Sequence, residues 1–479
     1  MVGGGNMATV QAATNSGATT RRITVTKKWA GDSEAVRSED TEIHLKKVSA
    51  TLKTGLEVAI AMKTLAGNSG ASDYASPNTT IYAFKKAEKA KYDEAVARGA
   101  TMENVAESGL AVYMWFDNGT IYYYSEADNI YMNSNSAHMF RGMRNLADID
   151  GVSALNTTYV EVMGGMFAND TSLVNLSPLA NWDTGNVKGM RYMFGTVRSG
   201  SDLDDEKNYM SYTDLSPLAN WNTQSVVDMF CIFKNARRIT TLAPIGGWNV
   251  SNLVMAEQMF NRTTSLEDAS AIEGWDLRRV GNEYQKMGSS PTMDGEIEVG
   301  RFLGMFRLSG VLENGNLPNF TSRSGTWDSD GALTPDDAPL AGSVPVVTKT
   351  KDAVEEFTIG GSGVKWAKNG DTWMASVEVS NDGSIWRAWE KTENGLVSAK
   401  GGKGAYVESS AGREGYGKDE ANAVKVSSGA VEFVNTYSAK AATVVKNPKT
   451  AGENYATVFM VIGGAVAGLG AMIGVRRRV

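Results

Sequence analysis

Two polar side chains in this sequence fall where strand alternation points inward. In ITVTKKWAGD, Ile23, Val25, Lys27 and Trp29 share one face of a strand, and Thr24, Thr26 and Lys28 take the other. In VEFVNTY, Val431, Phe433, Asn435 and Tyr437 share one face in the same way. A buried lysine is costly unless paired or consumed by chemistry, because desolvation disfavours the ammonium. Lysine beside asparagine, with a carboxyl group to shuttle protons, can close an isopeptide bond. Other chemistries have little to work with. Histidine occurs only as His44 and His138 and cysteine only as Cys231, which nearly excludes His/Cys metal clusters, Cys-His dyads and disulfide frameworks. Catalysis would have to run on carboxylates, lysines or hydroxyls; neither a metal nor a cofactor is expected.

The elements that must position these residues belong to a long chain. Its 479 residues suggest roughly three domains at about 150 residues each, and 42% hydrophobic content is enough to bury real cores. A net charge of −7 argues against nucleic acid as a partner, which would require a clustered positive surface.

The C-terminus carries the most specific signal. Residues 455–475, YATVFMVIGGAVAGLGAMIGV, hold no charge, and Arg476, Arg477 and Arg478 follow at once. As a helix this stretch spans about 31 Å, the thickness of a bilayer's hydrocarbon core. A buried soluble helix of that length would show a polar face. The expectation is therefore one transmembrane helix, with the basic tail 476–479 in the cytoplasm and everything before about 454 outside. Just before it stand Asn447, Pro448, Lys449, Thr450 and Ala451, after the small-residue linker SAKAATVV. A Pro-containing pentapeptide, an apolar span and a basic tail resemble a sortase sorting signal of the LPXTG type, with Asn447 in place of Leu and Ala451 in place of Gly. The resemblance implies cleavage of the Thr450–Ala451 bond by a sortase, transfer to cell-wall peptidoglycan, and membrane contact only before cleavage. At the other end, MVGGGNMATVQAATNSGATTRR has no apolar h-region. Either the chain is a mature or fragmentary form, or translation starts upstream of Met1.

Self-comparison finds a repeat. Met139-Phe140, Met166-Phe167, Met193-Phe194, Ile232-Phe233, Met259-Phe260 and Met305-Phe306 stand 27, 27, 39, 27 and 46 residues apart. The long intervals are one period plus insertions around SGSDLDDEKN and NEYQKMGSSPTMDGE. Trp182, Trp221, Trp248 and Trp275 keep the same beat, with Leu155 one period earlier. One such unit cannot bury its own apolar face, so neighbours must stack, and the methionines and tryptophans read as their shared core. The stretch from about Tyr131 to Phe320, with Trp182-Asp183-Thr184-Gly185-Asn186-Val187, Met190 and Met193-Phe194 as its clearest unit, is similar to the BspA-like leucine-rich repeats of bacterial surface proteins. That likeness implies adhesion or recognition rather than catalysis.

Leading into the repeats, AVYMWFDNGTIYYY alternates around Asn118-Gly119, the strongest short hairpin signal. Upstream, Ile81, Phe84, Tyr92 and Val96 read as one amphipathic helix ended by Gly99. The aspartates of TWDSDGALTPDDAP lack the ligand spacing and closing Glu of an EF-hand loop and read as a polar linker.

ITVTKKWAGD and VEFVNTY resemble the first and last strands of Cna B-type domains, the stalk modules of Gram-positive adhesins and pilins. GSIWRAWEKTENGL resembles that family's penultimate motif, with Glu390 and then Gly395. The resemblance implies Lys27 as the amine, Asn435 as the amide acceptor and Glu390 as the catalytic carboxyl of an isopeptide bond. Lys27 and Asn435 lie 408 residues apart, so the repeats would be inserted into one loop of the domain. Two alternatives stay open: Lys27 snorkels at an edge strand, or the C-terminal domain is complete alone and uses Lys349, Lys351 or Lys365. Glu408 is a second candidate carboxyl.

The expected fold class is mixed and β-rich: a leucine-rich-repeat-like solenoid of period 27, a β-sandwich Cna B-like domain and one C-terminal transmembrane helix. The expected order is a disordered N-terminus at 1–20, first Cna B-like strands at 21–48, an α/β lead-in and cap at 49–130, the repeats at 131–325 and a linker at 326–345. The rest of the Cna B-like domain follows at 346–438, then the linker and sorting motif at 439–451, the span at 455–475 and the tail at 476–479. The expected function is a cell-wall-anchored extracellular surface protein that recognises a protein or glycan ligand. The alternatives are a sortase-polymerised pilin subunit and a tethered glycan-degrading enzyme.

Overall fold

The computed structural model describes residues 9–11, 20–30, 42–68, 76–197, 200–281, 302–342, 349, 356–370, 372–390, 406–409, 423–426 and 429–438. They form a β-rich chain with few helices. It divides into two units, one made of Met1–Lys47 with Asp352–Val479 and the other of Val48–Lys351.

The first unit contains two sheets. In one, the order is Thr9–Gln11, Thr372–Ser380, Thr20–Ala30, Ala430–Ser438 and Tyr406–Ser409, with Ala367–Asn369 also pairing with Thr372–Ser380. In the other, the order is Glu356–Ile359, Ile43–Lys47, Trp386–Glu390 and Val424–Val426. Alternation gives each sheet one apolar face. Ile23, Val25, Val377 and Phe433 from the first sheet join Leu45, Phe357, Trp386 and Val426 from the second in a single core. Thr20–Ala30 is an interior strand, antiparallel to Thr372–Ser380 and parallel to Ala430–Ser438. The Thr9–Gln11 strand lies within the segment that the sequence read as disordered.

The second unit opens with a lead-in sheet whose strand order is Leu155–Asn156, Asn129–Tyr131, Ser49–Leu52 and Ala106–Gly109. A helix, Gly55–Leu65, follows Ser49–Leu52, started by a capping box in which the Thr54 side chain and Glu57 satisfy each other's backbone N–H groups. The hairpin around Asn118-Gly119 is present, with Tyr113–Asp117 antiparallel to Thr120–Tyr124 and both turn residues at positive φ. The single helix expected from Ile81 to Gly99 is corrected. Ala83–Lys86 is a strand parallel to Thr120–Tyr124, and only Lys89–Ala97 is helical. Ile81 and Phe84 are drawn into the main core, which holds that half extended, and Val96 is left half exposed.

From residue 132 onward the periodic residues stack. Single parallel bridges connect Asn135 to Val162, Val162 to Gly189, Gly189 to Asp228 and Asp228 to Met255. The amide of Phe140 donates to Met166 O, Phe167 to Met193 O, Phe194 to Ile232 O, Phe233 to Met259 O and Phe260 to Met305 O. The corresponding rings stack face to face, Phe167 on Phe194 at 5.8 Å and Phe194 on Phe233 at 6.0 Å between centroids. A second column runs Trp182, Trp221, Trp248, Trp275 at 6.3, 6.5 and 6.3 Å. Each indole N–H donates to a backbone carbonyl of the preceding unit, at Val152, Leu179, Leu218 and Ile245. The first insertion packs through Asp204, which accepts from Arg237 and Arg262; residues 282–301 of the second lie outside the described residues. The segment read as a linker at 326–345 contains a hairpin instead, Gly325–Trp327 against Leu333–Pro335. Trp327 packs edge-on against Phe306 and Leu333 is buried, so apolar residues in a polar context cover the last Met-Phe unit.

Among the described residues no helix is long and apolar enough to cross a membrane. The span expected at 455–475 and the tail at 476–479 lie outside the described residues.

Candidate functional site

Burial runs along the inner face of Thr20–Ala30 from Ile23 to Val25 and on to Lys27, whose side chain is 1% exposed. Because the strand is interior, the lysine has no edge to snorkel around, which removes that alternative. Its register neighbours are Trp373 on one side and Phe433 on the other, with the Phe433 ring centroid 5.9 Å from Nζ. From the other sheet, the last residue of Trp386–Glu390 reaches in, and Lys27 Nζ donates to Glu390 Oε1 at 2.5 Å. The glutamate side chain is fully buried. Burial pushes the Lys27 pKa down to about 8, against the smaller opposing pull of the Glu390 charge and hydrogen bond. Burial thus favours the neutral amine. A buried amine that loses its proton readily, held against a carboxyl group that can take it, is equipped for nucleophilic attack on a neighbouring carbonyl carbon.

The backbone of Asn435 lies on the adjacent strand, paired with Trp29, two residues beyond the Lys27–Phe433 pair. Its side chain lies outside the described residues, as does that of Glu408, whose backbone pairs with Thr436. Of the alternative amines, Lys365 is exposed and donates to Gly361 O, while Lys349 belongs to the other unit, where it pairs with Asp183 at 2.8 Å. Lys351 and Gly395 lie outside the described residues, together with Asn447, Pro448, Lys449, Thr450 and Ala451.

Sequence reasoning passed over a second buried ion pair in the same unit. Lys47 Nζ lies 2.7 Å from Asp382 Oδ2, and both side chains are sealed from water. Asp382 Oδ1 also accepts the Ser384 amide at 2.9 Å and the Ser384 hydroxyl. The signal was available: Ile43, Leu45 and Lys47 alternate inward just as Ile23, Val25 and Lys27 do. The partner sits in a turn, Asn381-Asp382-Gly383-Ser384, where Gly383 has φ 73°. The turn's own hydrogen bonds fix this carboxylate as a structural anchor.

His44 stacks on Trp389 and bonds Glu356, His138 is buried in the first Met-Phe turn, and Cys231 is buried in a later one. Among the described residues no three metal-ligating side chains converge.

The repeats carry a likeness to known proteins. Residues 132–213 and 207–298 each match the family described as Mycoplasma protein of unknown function, DUF285. The two matches together cover the stacked Phe and Trp columns up to Trp275. Comparison with curated proteins and with solved structures returns no match.

Proposed function

We propose that this chain is a sortase-anchored surface protein of a Gram-positive cell wall, working as an adhesin or ligand-recognition module. A BspA-type leucine-rich-repeat solenoid is presented on a Cna B-type β-sandwich stalk, and residues 447–451 are the sorting signal. The repeats supply an extended surface whose interior is committed to packing, the design of a binding scaffold.

The observation that carries the stalk is the buried contact of Lys27 with Glu390, two residues 363 positions apart. In the proposed reaction the neutral Lys27 amine attacks Cγ of the Asn435 carboxamide. Glu390 takes a proton from the amine and returns one to the departing nitrogen. An Nζ–Cγ amide forms, the Cγ–Nδ2 bond breaks, one ammonia leaves, and Glu390 ends as it began. Such a tie gives a chain without cysteine pairs resistance to force and proteolysis.

Expression in a Gram-positive host with an active sortase tests the reading. Wall digestion should release a chain ending at Thr450 joined to a peptidoglycan fragment, and cells displaying it should attach to ligand-coated surfaces better than cells lacking it. Wall-bound protein that keeps residues 451–479 contradicts the anchor, and equal attachment contradicts adhesion.

A further inference from the structure

The second unit contains a cavity of about 370 Å³, in the size range of small-molecule sites, where its lead-in sheet meets the first two repeats. Thr51 and Tyr131 are register partners on adjacent strands of that sheet, and both line the cavity with Glu107, Asn133, Tyr159 and Glu161. The Tyr131 and Tyr159 rings meet at 5.3 Å with their planes tilted by 45°. Each carboxylate is oriented by one donor. Asn133 Nδ2 donates to Glu107 Oε2 at 2.8 Å, and Lys188 Nζ lies 2.9 Å from Glu161 Oε2. The other oxygen of each has no protein partner among the described residues.

Two of these side chains depart from the repeat pattern. The position of Tyr159 is taken in later units by Asn186, Ser225 and Asn252. Ser225 and Asn252 use it to donate to the backbone of the preceding unit, at Gly185 O and Gln224 O. Tyr159 places a partly exposed ring on the cavity wall. Glu161 likewise stands where later units carry Lys188, Val227 and Val254.

We infer that this cavity binds a neutral sugar ring of a glycan, an inference that rests on the recognition reading above and names its ligand class. A pyranose has a C–H face that packs on an aromatic ring and a rim of hydroxyls that donate to carboxylates and amides. Lys188 offsets Glu161, and Lys349 on the cavity wall is paired with Asp183, so one carboxylate of the two is left uncompensated beside hydroxyl and amide groups, a lining suited to a polyol.

The test is saturation-transfer NMR on the full chain in a polyoxyethylene detergent. The probes are the methyl glycosides of glucose, galactose, mannose and N-acetylglucosamine, with choline as a cationic control. At least one glycoside should bind. Tyr159→Ala and Glu107→Gln should each weaken that binding by about tenfold or more, with melting curves unchanged; Glu107 is exposed, so its variant keeps the fold. No glycoside binding, binding unchanged in both variants, or choline binding with the same residue dependence overturns the inference. Cell attachment that survives Tyr159→Ala would overturn the cavity while leaving the adhesin reading intact. Loss of attachment in the wild type itself would strike that reading instead.

Discussion

Lys27 Nζ and Glu390 Oε1 stand 2.5 Å apart between two sheets, on side chains sealed from water. A simple buried ion pair seldom offsets its own desolvation. The arrangement gains a purpose when the lysine is consumed, because an amide carries no charge to desolvate.

That difference has a pH signature. The Lys27 pKa falls from an ordinary 10.5 to about 8 on folding, chiefly through burial. Between those values the unfolded chain binds the extra proton, so stability rises with pH there; the penalty is full below the folded value and relieved above it. In Asn435→Ala, where no bond can form, the first unit should gain on the order of 3 kcal/mol from about pH 8 to 10.5. Urea titrations of Asn435→Ala against the Lys27→Met, Asn435→Ala double variant isolate this gain. A pH-independent difference contradicts it.

The Lys47–Asp382 pair is predicted to behave as a structural tie. Lys47→Met removes the ammonium from a buried carboxylate and should cost about 3–5 kcal/mol. Adding Asp382→Ser removes the stranded charge and should recover most of that loss. Chemical denaturation of the three variants gives the cycle, and additive losses would show that the two groups act independently.

Within the repeats, Trp221 lies between Trp182 and Trp248 and donates to Leu179 O at 3.0 Å. Trp221→Phe keeps an aromatic ring but removes one of the two donors to Leu179 O, which keeps the Trp182 amide, an expected loss of about 0.5–1.5 kcal/mol. Trp221→Ala also opens a cavity at a junction of three units and should cost about 3–5 kcal/mol. Equal losses in the two variants would mean that the stacked ring contributes nothing beyond the hydrogen bond.

The repeat beat was legible because a residue that packs against its own equivalent has to recur, so Phe and Trp announce the period. The turn preceding each Met-Phe pair was not. His138, Gly165, Tyr192, Cys231, Gln258 and Gly304 all have positive φ, from 53° to 67°. Only two of the six are glycines, so tertiary stacking holds the others in a conformation that composition does not advertise. The strand at Ala83–Lys86 was hidden in the same way: Lys and Ala content favours a helix, and a parallel neighbour 37 residues downstream overrides it. The inward lysine at 27 was legible from alternation. Its contact with Glu390 depends on pairing across an interval that no local pattern spans.

The central claim is tested most directly by the intact mass of the purified full chain. The account predicts a deficit of one ammonia against the mass calculated from the sequence, lost in Lys27→Ala, Glu390→Gln and Asn435→Ala alike. Fragmentation should return a peptide joining Lys27 to Asn435. The full calculated mass in the wild-type chain would contradict the cross-link and leave Lys27 and Glu390 as a buried ion pair.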